Sequence, residues 1–373
     1  MDQPPSGWQR DRLQSLDLLR GLAVAGMILV TSPGSWDHRY SQLDHAAWFG
    51  WTLADMVFPL FLFAVGFALA LSFPKTSIEG AWMRIARRCV LLILLGLFLN
   101  ALPWFDMPHL RIPGILQRIA LCYAAAASLV LISLRHDEER RLQVNLPVIA
   151  VAAAILLIGY WGLLGGRFDP EGNVPARVDR ALFTVNHLWP YGTAPDGRVV
   201  YDPEGLLSTL GALVNVLAGI IAATLVRRGK PMWWLAAAGV ALFAPAYAID
   251  PIMPINKRLW TSSFALLSSG FAMAALAALS LVGQGGVARL LTAPLRIAGG
   301  NAILAFTLSQ VLSAFGGLPI LPHGQTPQGW GFALASSVVG DPYLASLACA
   351  LAILALVIAL IAPLHRKGVH LRL

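Results

Sequence analysis

Residues 53–73 read LADMVFPLFLFAVGFALALSF, with one acidic residue near the start, Asp55, and no other charge. A bilayer core about 30 Å thick needs roughly 20 apolar residues of helix, and this run supplies them. The run does not alternate between polar and apolar residues, as a strand of a membrane barrel would. The stretch therefore predicts a transmembrane helix.

Nine further runs of the same kind follow the chain near 16–33, 87–102, 114–134, 146–165, 206–226, 232–249, 259–282, 297–316 and 342–363. The composition agrees, because 57% of the residues are hydrophobic and 12% are charged, against about 25% charged in soluble domains. The mean hydropathy is +0.67. We predict an all-α, polytopic transmembrane helix bundle of about ten spans. We treat 1–373 as a single domain, with 1–14 and 364–373 as its terminal tails.

The net charge of +8 is explained by topology. Seventeen arginines and lysines fall on one side of the predicted spans and eight on the other. Cytoplasmic loops carry the excess of such residues, so the sequence predicts that both termini are cytoplasmic. We therefore expect a lipid bilayer as partner and no nucleic acid.

Several classes of function have no motif in this chain. Its three cysteines, Cys89, Cys122 and Cys349, lie in apolar runs and show no disulfide or metal-ligand spacing. The sequence also contains no P-loop, dinucleotide-binding glycine pattern, zinc-binding helix motif or Gly-x-Ser-x-Gly elbow. We expect no metal and no soluble nucleotide-binding chemistry.

The loop between the first two spans carries His45, which the predicted topology places on the outer side. A neutral imidazole accepts a proton near neutral pH and can act as a general base. The alternative is a loop histidine at the level of the lipid headgroups. Asp55 fits the third position of a capping box that begins at Thr52, which would explain it fully, and its carboxylate could also orient His45.

Ionisable residues within the spans are candidates because charge in a bilayer is costly. Asp17 and Arg20 are three residues apart on one helix. We interpret them as a structural ion pair or as part of an opening on the cytoplasmic side. Gln117 and Arg118 lie about one turn into the fourth span, where an arginine needs a partner or a water-filled cavity. Structural and binding roles are both open.

Three further positions combine polarity with unusual placement. Asp202 and Glu204 fit an N-cap and a first-turn acid, and a binding role stays open. Asn256 can cap the eighth span, but the two cations beside it, Lys257 and Arg258, oppose the helix dipole, which indicates an acidic partner or substrate. Asn301 follows two glycines inside the ninth span and could bond between helices.

Six segments together resemble one family, the transmembrane N-acetyltransferases related to heparan-α-glucosaminide N-acetyltransferase and their bacterial homologues. In chain order the segments are LDLLRG at 16–21, HAAWFGWTLADMVFP at 45–59, RIPGILQRIA at 111–120, YDPEGLL at 201–207, NKRLWTSS at 256–263 and GNAI at 300–303. Each segment alone is weak. Their shared order across nearly the whole chain makes the resemblance specific.

The resemblance implies transfer of an acetyl group from cytosolic acetyl-CoA to the amine of a glucosamine on the far side of the membrane, with His45 as the catalytic histidine. Such a transfer needs a base and donors for the developing oxyanion. His45 would be the general base or an acyl carrier, and Asp55 would hold its tautomer. The family usually ends its first span with an asparagine. This chain has Thr31 and Ser32 there, and their hydroxyls could donate instead, as could Asn256.

The other candidates would bind the acceptor or the acyl donor, whose phosphates would lie near the inner arginines Arg84, Arg87, Arg88 or Arg296. A transporter or flippase of a glycan-related or anionic substrate is the alternative function, and an inactive relative with the same fold is a third. The human relatives carry an additional lumenal domain, which this sequence lacks, so we expect a bacterial inner membrane. The acceptor glycan, the acyl group and the oligomeric state, a homodimer among the options, stay open.

Overall fold

The computed structural model describes residues 7–72, 80–136, 142–282 and 285–369, with the backbone alone for 7–13 and 136. The described chain is mostly helical. The helices are α1 Gly7–Thr31, α2 Leu53–Ser72, α3 Ala81–Ala101, α4 Ile115–Ser133, α5 Leu146–Leu164, α6 Val174–Phe183, α7 Ser208–Arg227, α8 Met232–Ala241, α9 Phe243–Ile249, α10 Ser262–Ser280, α11 Gly286–Gly300, α12 Ala302–Gly316, α13 Pro327–Val339 and α14 Pro342–Arg366. Two short strands, β1 Arg135–His136 and β2 Leu142–Gln143, pair antiparallel. The predicted all-α class is confirmed.

Eight helices of the described chain are long and apolar enough to span a bilayer, or nine if the pair α11 and α12 is one span. The predicted total of about ten also included α3. That helix is 21 residues long but carries Arg84, Arg87 and Arg88 near its start, which leaves its apolar part short of a full span.

The ninth predicted span is broken. Helices α11 and α12 meet at an angle of 85°, and Asn301 stands between them with φ −130° and ψ 45°. Gly299 and Gly300 immediately before it weaken a continuous helix. Asn301, which the sequence places inside the ninth span, therefore lies at a break formed by the asparagine and the two glycines.

Two other polar residues do not cap the helices that we expected. Helix α7 begins at Ser208 and α10 at Ser262. Asp202 and Asn256 therefore lie in the preceding loops. Asp202 accepts from the backbone N–H of Glu204 at 2.8 Å, so it stabilises a turn. Asn256 accepts from the backbone N–H of Leu259 at 2.9 Å and does the same.

Contacts divide the chain into two compact units, and the first comprises Met1–Ala46, Trp51–Phe61 and Leu279–Arg372. Within it, α1 packs against α11, α12 and α14. Gly21 lies against the carbonyl of Leu295 and Gly299 against that of Asp17, and a Cβ at either glycine would be 1.9 Å from the oxygen. Small residues thus let α1 and α11 approach closely, as is common in membrane bundles.

The second unit comprises Ala47–Gly50 and Leu62–Ala278. Helix α7 is largely buried and packs against α4 and α5. Asn215 on α7 is fully buried. Its side chain donates to Ser268 and Ser269 of α10 and accepts from the indole of Trp260 at 2.8 Å. These bonds satisfy a polar group inside the unit and fix α10 against α7.

Candidate functional site

The first unit brings together the predicted pair, His45 and Asp55. Nδ1 of His45 lies 2.8 Å from Oδ1 of Asp55. The second carboxylate oxygen accepts from the backbone N–H groups of Ala46 at 3.1 Å and Thr52 at 3.0 Å, and from the Thr52 hydroxyl at 3.2 Å. The carboxylate is 1% exposed and the imidazole 34%. The acid is therefore fixed, while the ring reaches the surface of its unit.

This arrangement sets the tautomer of the imidazole. An ionised carboxylate only accepts hydrogen bonds, so His45 donates to Asp55 through Nδ1–H. The neutral ring then carries its lone pair on Nε2, the nitrogen that points away from the carboxylate. A histidine held in this way can take a proton at Nε2, or react there as a nucleophile.

The local sequence explains why Asp55 stands where it does. Thr52 precedes α2, and the carboxylate three residues later returns to the Thr52 N–H, as a capping box requires. The Thr52 hydroxyl donates mainly to the carbonyl of Asp44 at 2.6 Å, which ties the histidine loop to the helix start. The capping and orienting interpretations of Asp55 are thus compatible, because its two oxygens serve different partners.

The hydroxyls at the end of α1 are engaged within the first unit. Thr31 donates to the carbonyl of Met27 at 2.8 Å, one turn back in its own helix. Ser32 shares a hydrogen bond of 2.9 Å with Ser313 of α12. Both groups would have to break a bond of the protein to serve as donors to a ligand.

Asp17 and Arg20 form the expected ion pair within α1, with 3.1 Å between Oδ1 and Nη1. Both side chains are partly exposed, so the pair contributes little to stability. Asn301 is 1% exposed at the break between α11 and α12. The structure thus gives Asp17, Arg20 and Asn301 definite local roles in the first unit.

The second unit holds an ion cluster of four residues, the Arg111 cluster: Arg111, Arg118, Asp202 and Glu204. Arg111 donates to both carboxylate oxygens of Asp202, at 2.8 and 2.6 Å, and to Glu204. Asp202 also accepts from the backbone N–H of Trp189 at 2.8 Å. The side chain of Asp202 is completely buried and that of Glu204 nearly so. Such two-pronged bonds are the strongest that arginine makes with carboxylates.

Electrostatic attraction outweighs burial in this cluster. Burial would raise the pKa of Glu204, but the positive charges of Arg111, Arg118 and Lys257 hold it below its ordinary value. Burial would lower the pKa of Arg111, but the two carboxylates raise it. Glu204 is therefore an anion under ordinary conditions, and Lys257 is close enough to act on it.

Arg118 lies on α4 and is 1% exposed. Its Nη2 donates to the Gly205 carbonyl at 3.2 Å and to the Ser208 hydroxyl. The guanidinium also stacks over the ring of Trp260, 5.0 Å from the centroid. Its Nε and Nη1 are buried and meet no hydrogen-bond acceptor in the described part of the chain. The expected partner of this arginine is thus the turn that carries Glu204.

Asn256 is fully buried, and most of its polar atoms are engaged. Its side-chain oxygen accepts from Leu259, and its backbone N–H donates to the hydroxyl of Thr261 at 3.1 Å. Its Nδ2 is buried with no acceptor among the described residues. The preceding residue, Ile255, bonds through its carbonyl to the N–H of Gly50 at 2.8 Å. Asn256 therefore presents an oriented amide donor.

The side chain of Gln117 packs between two helices. It donates to the carbonyl of Ile112 at 3.0 Å. Its side-chain oxygen lies where a Cβ on Gly96 would stand, at 2.3 Å, so it fills the space between α3 and α4. The structure therefore places Gln117 in the contact between these two helices.

Sequence reasoning did not select Arg111 as a site residue, and it noted Arg258 only as a second cation beside Lys257. Arg111 could have been found, because two carboxylates in one short motif, Asp202 and Glu204, call for a buried cation. Arg258 donates to the hydroxyl of Tyr201, and its guanidinium lies 5.6 to 6.0 Å from the rings of Trp48, Trp189 and Tyr201. No local pattern links these aromatic residues, which come from three separate segments.

No group of three or more metal-binding side chains occurs among residues 7–72, 80–136, 142–282 and 285–369. The two carboxylates of the Arg111 cluster, those of Asp202 and Glu204, are already paired with Arg111. The chemistry available at both sites is therefore that of an imidazole, carboxylates, an amide and arginines.

The amino-acid sequence of this chain is similar to known proteins of one family. Residues 12–161 match the family model described as heparan-alpha-glucosaminide N-acetyltransferase, catalytic, and this segment includes His45, Asp55, Arg111 and Arg118. The human heparan-alpha-glucosaminide N-acetyltransferase is 28% identical over 332 residues, which cover 73% of this chain and 49% of the human protein. The mouse protein is 28% identical over 319 residues, 70% of this chain and 48% of its own. The chain thus spans about half the length of the curated relatives it matches. The predicted resemblance is confirmed, and the chain is related to the family of the heparan-α-glucosaminide N-acetyltransferases.

Proposed function

We propose that this chain is a membrane-embedded acyltransferase that moves an acetyl group from acetyl-CoA to the amine of an amino sugar or glycan. The observation that carries the proposal is the His45–Asp55 pair, in which a saturated, buried carboxylate fixes the lone pair of the ring on Nε2. The printed names of the human and mouse relatives support an N-acetyltransferase. A bacterial inner membrane, with acetyl-CoA on the cytoplasmic side and the acceptor outside, stays part of the proposal.

The imidazole has two ways to perform the reaction. In direct transfer, Nε2 of His45 takes a proton from the acceptor amine as its nitrogen attacks the thioester carbonyl. The carbon–nitrogen bond forms, the carbon–sulfur bond breaks, and the proton passes to the leaving thiolate. In the stepwise route, Nε2 attacks the thioester carbonyl, the carbon–sulfur bond breaks and the CoA thiolate leaves. The amine then attacks the acetyl carbon, the carbon–Nε2 bond breaks as the amide forms, and the proton of the amine passes through Nε2 to the thiolate. Asp55 orients the ring in both.

Asn256 is the best candidate for the donor to the developing oxyanion. Its Nδ2 is buried, oriented and without an acceptor in the described chain. Thr31 and Ser32 are weaker candidates, because their hydroxyls are bonded to Met27 and Ser313. Losing one such donor typically lowers kcat by about 10² to 10³-fold.

The remaining polar and charged candidates are proposed as binding residues. Asp202, Glu204 and Lys257 would meet the acceptor, and Gln117 and Arg118 would support them. Asp17, Arg20 and Asn301 would lie on the side of the acyl donor. The phosphates of the donor would bind near the basic side chains of the cytoplasmic side, among them Arg84, Arg87, Arg88 and Arg296.

The test is transfer of labelled acetyl from acetyl-CoA to glucosamine acceptors by purified protein. We expect His45→Ala to abolish transfer. His109→Ala is a matched control, because His109 also pairs with an aspartate, Asp106, at 2.9 Å, but is 64% exposed. It should keep the wild-type rate. Full activity in the His45 variant would remove that residue from the mechanism, and inactivity of the wild type with every acyl-CoA would overturn the proposal.

One observation favours transport as a second candidate. Transporters often bind substrate at interrupted spans, and α11 and α12 form a pair bent by 85° at Asn301. Flux of a labelled glycan into proteoliposomes without acetylation would support this function. Acetylated product without flux of the unmodified sugar would exclude it.

A further inference from the structure

Asp179 lies on α6, in the loop region between α5 and α7, and neither the motifs nor the reaction proposed above uses it. Its side chain is 1% exposed. Oδ1 accepts from the backbone N–H of Leu206 at 2.9 Å. Oδ2 lies against Gly205 so closely that a Cβ there would be 1.8 Å away. The carboxylate is therefore in direct contact with Gly205, the last residue of the Asp202–Gly205 turn.

That turn carries the acidic half of the Arg111 cluster. Asp202 and Glu204 both accept from Arg111, and the carbonyl of Gly205 accepts from Arg118. A shift at Gly205 would move Glu204, its immediate neighbour, relative to both arginines. Asp179, on a different element, thus contacts Gly205, the neighbour of Glu204, which is assigned to acceptor binding.

For folding alone, the position needs a hydrogen-bond acceptor but not a charge. Asp179 accepts from the backbone N–H of Leu206, and an asparagine oxygen could accept the same bond, although more weakly. Arg180, the next residue on α6, directs its guanidinium to the carbonyls of Val200 and Glu171. Arg118 faces the same site from α4 and donates to Gly205 and Ser208. Burial of a carboxylate here is unfavourable, so a purely structural role would favour the neutral amide.

The surroundings also place this carboxyl in the range where pH changes its charge. The pKa of Asp179 is raised to about 6, chiefly by burial, and the nearby charge of Asp202 acts in the same direction. The N–H of Leu206 and the charges of Arg118 and Arg180 lower it. The ionised form makes the stronger bond to Leu206, because hydrogen bonds to charged acceptors are about twice as strong.

We propose that Asp179 is a positioning residue for acceptor binding, whose negative charge holds the Asp202–Gly205 turn so that Glu204 stays aligned with Arg111 and Arg118. Protonation of Asp179 weakens its hydrogen bond to the N–H of Leu206, and the turn is then held less firmly. This inference rests on the proposed acetyl transfer to an amine, and it deepens that function by naming a control on acceptor use. Transfer by wild type should therefore decline in acid faster than transfer by a variant with a neutral side chain at position 179.

The experiment compares wild type with Asp179→Asn, and with Asp196→Asn as control. Asp196 makes its bonds to Arg198 in an exposed loop, so the same change there should have no effect. We measure acetyl transfer to glucosamine from pH 5 to pH 8, together with thermal unfolding. The ratio of kcat/KM for wild type to that for Asp179→Asn should be largest at pH 8 and fall towards one in acid, because protonated Asp179 is neutral like the amide. Protonation of the acceptor amine and of the other shared groups cancels in this ratio.

We expect Asp179→Asn to fold with a higher Tm than wild type at pH 7.5. At pH 8 its kcat/KM for the acceptor should be about tenfold to a hundredfold lower than that of wild type, mainly through KM. A purely structural role would predict unchanged transfer by this better-folded variant, and that result, or a ratio between the two proteins that does not change with pH, would overturn the inference. Both the expected result and the contrary result require that wild type transfers acetyl. If wild type transfers nothing, the proposed function itself fails and the role of Asp179 in it falls as well.

Discussion

Replacing Asp55 by asparagine should separate the stability of the histidine loop from its chemistry. The asparagine has the same shape as the aspartate and keeps one acceptor oxygen. Two backbone donors, Ala46 N–H and Thr52 N–H, converge on Oδ2 of the wild-type side chain. The amide oxygen should therefore take that place, which turns the NH₂ group towards His45.

The consequence is the wrong tautomer. An NH₂ group at the position of Oδ1 can only donate, so Nδ1 of His45 must accept and the ring proton moves to Nε2. The nitrogen that should take the proton of the amine no longer has a lone pair. In Ser-His-Asp triads the same change lowers kcat by about 10⁴-fold. We expect a loss of about 10³ to 10⁴-fold here, which corresponds to about 4 to 5.5 kcal/mol in the barrier.

Asp55→Ala is the matched comparison. It leaves three donors, those of His45, Ala46 and Thr52, without their acceptor, at about 1 to 2 kcal/mol each. We expect this variant to lose about 3 to 6 kcal/mol of stability, and Asp55→Asn to lose about 1 to 2 kcal/mol. The assays are transfer of labelled acetyl and thermal unfolding in the same detergent. Transfer by Asp55→Asn within about threefold of wild type would refute the tautomer argument, since the barrier would then have changed by less than 1 kcal/mol.

Three further predictions concern the second unit. Arg111→Met should destabilise the protein by about 3 to 5 kcal/mol, because Asp202 and Glu204 stay buried without their main cation, and chemical denaturation would measure the loss. Asp179→Asn should be more stable than wild type by about 3 kcal/mol at pH 7.5, the amount that corresponds to a pKa of about 6 against the ordinary 3.8. The folded form binds this proton more tightly, so the unfavourable contribution is complete above pH 6 and disappears towards pH 4, and Tm measured across that range should converge for the two proteins. Gly205→Ala should lower both Tm and acceptor affinity, because its Cβ would meet the carboxylate of Asp179, and equal Tm values would contradict the packing.

The sequence was sufficient to predict the helical membrane class, because that depends on the length and polarity of each run alone. The His45–Asp55 contact was also predictable. The two residues are ten positions apart, on either side of a helix start with a recognisable capping box. The break at Asn301 could be located only approximately, since two glycines weaken a helix without stating its angle.

The Arg111 cluster was harder to predict, because its bonds join residues 91 and 93 positions apart. Propensities and spacing describe neighbours in the chain, and they say nothing of which loop meets which. The caps proposed for Asp202 and Asn256 were wrong for a related reason. Both residues use their side chains to close turns, an alternative that short polar side chains always offer and that competes with helix capping.

Buried carboxylates and buried N–H groups are satisfied to different extents in this protein. Two carboxylates are saturated: Asp55 has four donors from three residues, and Asp202 has four from Arg111, Trp189 and Glu204. Several buried donors meet no acceptor among the described residues, among them Nδ2 of Asn256 and both Nε and Nη1 of Arg118. Each such group costs about 1 to 3 kcal/mol or more. Under the proposed function, the open N–H groups of Asn256 and Arg118 would donate to oxygen atoms of the substrates.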